Sequence, residues 1–269
     1  MADRPSGMAL SGSAGQGLNV LSGPRTAVGS ISNLYCRRSR EYTSGVMAQP
    51  QQESPDGLVQ LPLFPLNLVL FPGMDLPLHI FEERYKNMIG DCLNQNVPFG
   101  VVLIKEGTEV GDPADPERIG TSARILRSEL LDQGRMNIMT KGERRFEIEE
   151  IIQRAPHVVG RVRFLVELEG EGCSELVPQI NEEYVVLVKN LTALTGGYTS
   201  RVTVPEDPVE LSYAIAANLE LEPHLRQSLL VTETAATRLF DLIPLLKQGN
   251  EELRERVAKQ NPFQGPRLN

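Results

Sequence analysis

The sequence predicts an α+β protein in which a β-rich domain precedes a helical bundle. Three observations predict it. Between residues 58 and 167 the apolar runs are short and are broken by Pro62, Pro65, Pro72 and Pro77, which exclude a regular helix there. Beyond Gly170 and Gly172 the apolar side chains recur every three or four positions, the period of a helix. Residues 1–57 hold few large apolar side chains and no periodic face, too little to offset the entropy of ordering a chain. The division expected is a disordered leader over 1–57, a β-rich domain over 58–170, a helical bundle over 171–262 and a tail over 263–269.

Taken in order, the leader has no acidic residue between Arg4 and Arg40 and is rich in serine and glycine. That is the composition of an organelle transit peptide. An equal alternative is that Met47 begins the natural protein and the residues before it are a flexible extension. Val59–Phe64 and Asn67–Phe71 read as short strands, ended by Pro65 and by the turn pair Pro72-Gly73. Phe81, Tyr85, Met88, Ile89 and Cys92 fall at helical spacing and predict a helix over 81–95. Strands are expected at Phe99–Ile104, Ile119–Leu130, Arg135–Lys141, Arg145–Ile152 and His157–Glu167, with Gly134 and Gly142 at the turns. Four helices follow. The first covers Val177–Leu194. The second opens at Asp207-Pro208-Val209-Glu210, an N-cap residue before a proline suited to the first helical position. A short third helix begins near Pro223. The last starts after Thr232 and meets Pro244, where a kink is expected.

Charge and composition narrow the function. The chain carries a net charge of −8, and an acidic surface repels a phosphate backbone, so nucleic acid is an unlikely partner. No apolar run approaches the ~18 residues of a membrane span. Cys36, Cys92 and Cys173 are odd in number and widely separated, which fits a reducing compartment such as the cytoplasm; an organelle stroma or matrix is the alternative if the leader is a transit peptide. His79, His157 and His224 are scattered, and no CxxC spacing is present, so neither a metal nor a cofactor is expected.

Several strings carry a stronger signal. These are Leu61-Pro-Leu-Phe-Pro-Leu-Asn67, Leu70-Phe-Pro-Gly73, Leu76-Pro-Leu-His-Ile-Phe-Glu82 and Arg84-Tyr85. Ile119-Gly-Thr-Ser-Ala-Arg-Ile125, Gly134-Arg-Met-Asn-Ile138 and Lys141-Gly-Glu-Arg-Arg-Phe146 continue the series, and Asp207-Pro208, Leu211, Ile215-Ala216, Leu219 and Gln227–Leu230 extend it into the helices. Over about residues 58–250 the chain resembles the amino-terminal substrate-binding domain of the Lon protease. The proline-rich opening is the specific part of that resemblance. It implies a PUA-like β pseudo-barrel followed by a helical bundle, in a region that selects protein substrates without cutting them. The chain contains no Gly-Lys-Ser/Thr, so the phosphate-binding loop of the Lon ATPase is missing. The Ser-Lys dyad of the Lon peptidase would lie downstream of Asn269. The expectation is a protein without enzymatic activity and without catalytic residues. It would bind unfolded or hydrophobic protein segments as an adaptor or regulator of proteolysis, with a protease or chaperone as partner. An RNA-binding PUA-like module and a hydrolase unrecognisable from sequence are the alternatives.

The candidate binding residues are Phe71, Met74, Leu76, His79 and Phe81. With Phe64 they exceed what two short strands need for their own interior. One reading makes some of them an exposed patch that contacts varied proteins. The other places all of them in the core. His79 reads as a ligand contact or, more simply, as a half-buried ring bonded to backbone. Glu82, Glu83 and Asp91 read as capping or solvated groups, Cys92 as a small core residue, and Asp112, Asp115 and Glu117 as an ordinary turn. The run Lys141-Gly142-Glu143-Arg144-Arg145 reads as a hairpin turn, with RNA contact as the lesser alternative.

Overall fold

The computed structural model describes residues 57–108 and 114–260. The leader, its Met47 and Cys36, the loop residues Asp112 and Pro113, and the tail over 263–269 lie outside the described residues.

Seven strands come first: β1 (Val59–Leu66), β2 (Asp75–Ile80), β3 (Phe99–Glu106), β4 (Asp115–Pro116), β5 (Ile119–Leu130), β6 (Met136–Gln153) and β7 (Val158–Phe164). Helix α1 (Glu83–Gln95) is inserted between β2 and β3. The sheet runs β1-β7-β6-β5-β3, and a parallel pairing of β1 with β3 closes it into a ring. The first half of β1 pairs with β7 from Val59↔Val162 to Leu63↔Val158. Its second half crosses to β3, from Leu63↔Gly100 to Leu66↔Leu103. Closing the ring removes most of the strand edges that a flat sheet would expose. Inside it, Val59, Leu61, Leu63, Val102, Phe146, Ile148, Val158 and Val162 form a small core. Gly100 makes room for it: a Cβ there would lie 2.7 Å from the Phe146 ring and 2.6 Å from Leu63.

Strand β6 is the spine of this half. It pairs with β7 at its far end, with β5 along its length, and with β2 from Met136 to Lys141. The hairpin expected at Gly142 does not occur, because Gly142 lies inside the continuous β6. The chain at Phe71–Met74 packs directly on it. Gly142 N donates to Met74 O at 2.9 Å, Gly73 N donates to Gly142 O at 2.8 Å, and a Cβ at 142 would stand 2.3 Å from Phe71 O. Glycine is there for close approach of two backbones, not for a turn. The expected strand at Asn67–Phe71 is also absent. These residues form a buried loop whose carbonyls are met by side chains: Thr121 Oγ1 donates to Leu70 O at 2.6 Å and Arg226 to Val69 O at 3.4 Å.

Four helices follow: α2 (Cys173–Leu194), α3 (Pro208–Asn218), α4 (Pro223–Val231) and α5 (Ala235–Gln260). Asp207 caps α3 as expected, its Oδ1 accepting from Val209 N at 2.9 Å with Pro208 in the first turn. Helix α2 begins at Cys173, before Pro178, and α5 runs through Pro244. One large core, from Phe64 and Leu76 in the β half to Leu239 and Leu253 in α5, joins strands and helices. Each leucine buried there contributes roughly 1.5–3 kcal/mol.

Two buried arginines, Arg145 and Arg226, tie the helices to the β half, and a third, Arg238, ties the helices to one another. Arg145 on β6 uses all five of its donors. Nε and Nη2 bind the two oxygens of Glu167 at 2.8 and 3.0 Å; Nη1 and Nη2 also reach the carbonyls of Leu230, Thr232 and Glu233. Arg238 is fully buried and donates to Leu229 O, Thr232 O and Ser212 Oγ. Its guanidinium stands 4.0 Å from the centre of the Tyr213 ring, and Tyr213 donates to Glu167 at 2.7 Å. Both arginines thus serve the carbonyls at the end of α4, which carry the negative end of the helix dipole. Arg226 treats α3 likewise, donating to Ala216 O and Leu219 O at 3.2 and 3.1 Å. Burial raises the Tyr213 hydroxyl above its usual range, so it stays a donor.

Candidate functional site

Strand β2 sits on β6, outside the ring, so β2, the first part of β6 and the end of β5 form a three-stranded extension. Side chains alternate across such a sheet. Leu76, Leu78 and Ile80 on β2 point inward and are fully buried, with Met136, Ile138 and Thr140 beside them. Pro77 and His79 point outward, opposite Met139 and Asn137, which in turn lie opposite Arg127 and Glu129 on β5. Phe81 follows the same alternation just past the strand.

This outer face is the candidate site. Pro77, His79 and Phe81 are half-buried, while Met139 is 36% and Leu126 42% exposed. Leu126 sits at a bulge in β5 between Ile125 and Arg127 and lines a cleft beside the end of α1. The His79 and Phe81 rings stack with centroids 6.1 Å apart. Across the strands runs a polar row: His79 Nδ1 lies 2.8 Å from Asn137 Oδ1, and Asn137 Nδ2 donates to Glu129 Oε2 at 3.5 Å. With Asn137 so oriented, His79 Nδ1 is the donor. The partner of the ring is thus a side chain, where the sequence suggested backbone. The face offers an aromatic pair, a thioether, a proline ring and a polar row to orient what binds.

The remaining predicted binding residues are elsewhere. Phe71 and Leu76 are fully buried and Met74 is 8% exposed, so these three have no surface on which to bind. Phe71 packs 6.1 Å from Tyr213 and lies under the Arg226 guanidinium at 4.9 Å. Met74 accepts from Arg226 through its sulfur at 3.5 Å. Leu76 is turned inward by strand alternation. The expected patch therefore shrinks to His79 and Phe81, and gains Pro77 and Met139. Of these, Pro77 was legible, since it alternates with His79 and Phe81 in one strand. Met139 joins it only through the pairing of β2 with β6.

The other candidates resolve into structure. Cys92 is buried on α1; burial, with a smaller push from Asp91, raises its thiol to about 12, far from a nucleophile's range. Glu82 bonds Arg84 at 2.9 Å and Glu83 bonds Lys86 at 2.5 Å, in place of any side-chain cap. Asp115 pairs with Arg154 at 2.7 Å. In the basic run, Arg145 is buried, Arg144 lies over Phe164, and Glu143 pairs with Arg124. Among the described residues no cluster of His, Cys, Asp or Glu is arranged to hold a metal, and no helix is long and apolar enough to cross a membrane.

Comparison with known proteins fits this architecture. The family model of the ATP-dependent protease La (LON) substrate-binding domain matches residues 60–248. Lon protease 2 of Myxococcus xanthus is 28% identical over 78% of this chain, and the Lon protease of Roseiflexus castenholzii is 29% identical over 76%. The matched regions span only 27% and 26% of those two proteases. The crystal structure of a Lon N-terminal domain protein from Xanthomonas campestris superposes with a TM-score of 0.52 at 26% identity, over 69% of this chain and 98% of that one. The N-terminal domain of a Mycobacterium avium complex Lon protease shares the fold, with a TM-score of 0.55 at 19% identity over 70% of this chain and 98% of that one. A closed β ring, a helical half fastened to it and a family match across both halves lead to one conclusion: the chain belongs to the Lon substrate-binding domain family.

Proposed function

We propose that this protein is a recognition module without catalytic activity of its own, which holds proteins by exposed hydrophobic segments on the outer face of β2, β6 and β5. It works in a reducing compartment, the cytoplasm, as an adaptor or regulator that presents its cargo to a protease or chaperone. The observation that carries this reading is the outer face itself. Most of the apolar block is core, yet Pro77, Phe81 and Met139 keep surface on one face, beside a fixed polar row. Denatured proteins share exposed apolar side chains and little else, so a reader of such chains needs an apolar contact. Met suits varied partners because its side chain is flexible and polarisable.

The test is Met139→Asp in the full chain. Met139 is exposed, so a carboxylate there stays solvated and the fold is retained, whereas burying that charge under an apolar ligand is costly. Binding of denatured casein, measured by anisotropy, falls by about tenfold or more while the thermal midpoint stays within a degree or two. Unchanged binding by the folded variant rejects this face. Turnover of ATP or casein that persists through repurification rejects the non-catalytic reading.

A further inference from the structure

We propose that the open edge of β5 between Arg124 and Leu130 takes up an extended protein segment as an added strand, one whose side chains alternate apolar and acidic. The inference rests on the reading above and names the form in which a bound chain is held.

β5 is paired on both sides only at its beginning. Its pairing with β3 spans Thr121 to Ala123 and stops, whereas its pairing with β6 continues to Leu130. From Arg124 onward no strand lies on the other side among the described residues. The direction of the backbone groups follows from one bond. At the hairpin, Leu131 N donates to Arg135 O at 2.7 Å, so residue 131 faces β6. In an antiparallel ladder successive residues face alternate sides. Glu129 and Arg127 therefore also face β6, and Leu130 and Ser128 present N–H and C=O to the open edge.

The opposite edge of the extension is closed by chemistry. The same alternation, carried across β6, turns Asp75, Pro77 and His79 of β2 outward. Pro77, in the middle of that edge, has no N–H to offer. β5 has no proline between Ile119 and Leu130. Its open edge is fronted by a cleft lined by Leu93, Asn96 and Val97 at the end of α1 and by Leu126, Arg127 and Ser128. A cleft walled by a helix admits a single strand more readily than the edge of a folded second copy.

The walls fix the chemistry of the occupant. A strand added here would set alternate side chains against the half-buried Leu93 and Val97 and the 74% exposed Leu130. Its other side chains would lie beside Arg127, which is exposed and forms none of the ion pairs of the described residues, and beside Glu129, whose carboxylate accepts from Asn137. One side of the incoming segment is thus apolar and the other acidic.

The test uses a short fluorescent peptide of alternating valine and glutamate, titrated with the full chain. It should bind, and N-methylation of alternate peptide nitrogens should weaken binding by about tenfold or more, because the ladder loses its donors. Replacing glutamate with lysine should weaken it several-fold, as should Arg127→Glu in the protein. Ser128→Pro, whose lost N–H points away from β6, should match the effect of N-methylation with the circular dichroism unchanged. The N-methylated peptide leaves the protein untouched, so the test survives a Ser128→Pro that fails to fold. Equal binding of parent and N-methylated peptides overturns the proposal, as does no binding of the parent at millimolar concentration. Dimers in sedimentation that Ser128→Pro abolishes would give the edge to a second copy and overturn it too. If Met139→Asp abolishes casein binding while Ser128→Pro and N-methylation change nothing, the recognition function stands and the added strand alone falls.

Discussion

Leu76, Leu78 and Ile80 are fully buried, whereas Pro77 and His79 between them, and Phe81 after them, keep part of their surface. The two sets alternate along β2 and the residue after it, and occupy opposite faces. A similar contrast separates the polar groups. Arg145 and Arg238 are buried and bonded to carbonyls, a carboxylate and a hydroxyl, while the row His79–Asn137–Glu129 lies at the surface. The inner side is spent on packing and on joining the halves, and the outer side keeps its polar row and its apolar surface at the boundary with water.

Substitutions measure the contrast. The largest effect is expected on the inner face. Leu78→Asp would bury an unpaired carboxylate, a cost of more than about 4 kcal/mol, and the chain should lose its cooperative thermal transition. Next comes the joint. Arg145→Ala removes both of its bonds to Glu167 and the side-chain donors of the Leu230 and Glu233 carbonyls, leaving Tyr213 on Glu167 and Arg238 on Thr232, and should cost about 3–5 kcal/mol, read as a lower midpoint in urea. A retained midpoint would show that the joint is not needed.

Alkaline pH probes the core more gently. The folded state holds the Cys92 thiol at about 12, above its ordinary value near 9.0. Above pH 9 the unfolded chain therefore releases a proton that the folded chain keeps, and stability declines through the window from 9 to 12. Tyr213, raised in the same direction, extends that loss. Thermal midpoints in that window should fall less steeply in Cys92→Ala than in the unaltered chain. Smaller still is Asn137→Ala on the outer face, expected to cost about 1 kcal/mol or less because its partners can turn to water. A cost as large as that of Arg145→Ala would erase the distinction between the two faces.

Much of this architecture could be read from residue order. The span of β5, the apolar face of α1 and the Asp207-Pro208 start of α3 follow from local patterns, and all three appear in the structure. Local patterns fail where a partner distant in sequence decides. Gly142 looks like a turn until the chain at Phe71–Met74 is laid over it. Asn67–Phe71 looks like a strand because its residues are apolar, yet side chains from Thr121 and Arg226 take over its carbonyls. Arg226 and Arg238 look like surface charges on amphipathic helices. Their burial depends on helix ends whose unpaired carbonyls no local pattern displays. The candidate face is half legible, through the alternation of Pro77, His79 and Phe81; Met139 reaches it only by strand register.

The stretch from Leu165 to Gly172 links the last strand to the first long helix, and in residue order it looks like the natural place to cut. Its carbonyls at Leu168 and Glu169 accept from Ala235 N and Ala236 N, both at 2.8 Å, which occupies the first turn of α5, and its Glu167 holds Arg145 and Tyr213. A fragment ending at Gly170 would keep the whole ring and yet lose Leu230, Thr232 and Glu233, leaving a guanidinium facing water through a hole where a helix had been. Anyone wishing to transplant the outer face of β2 and β6 onto another protein must therefore carry the helices with it.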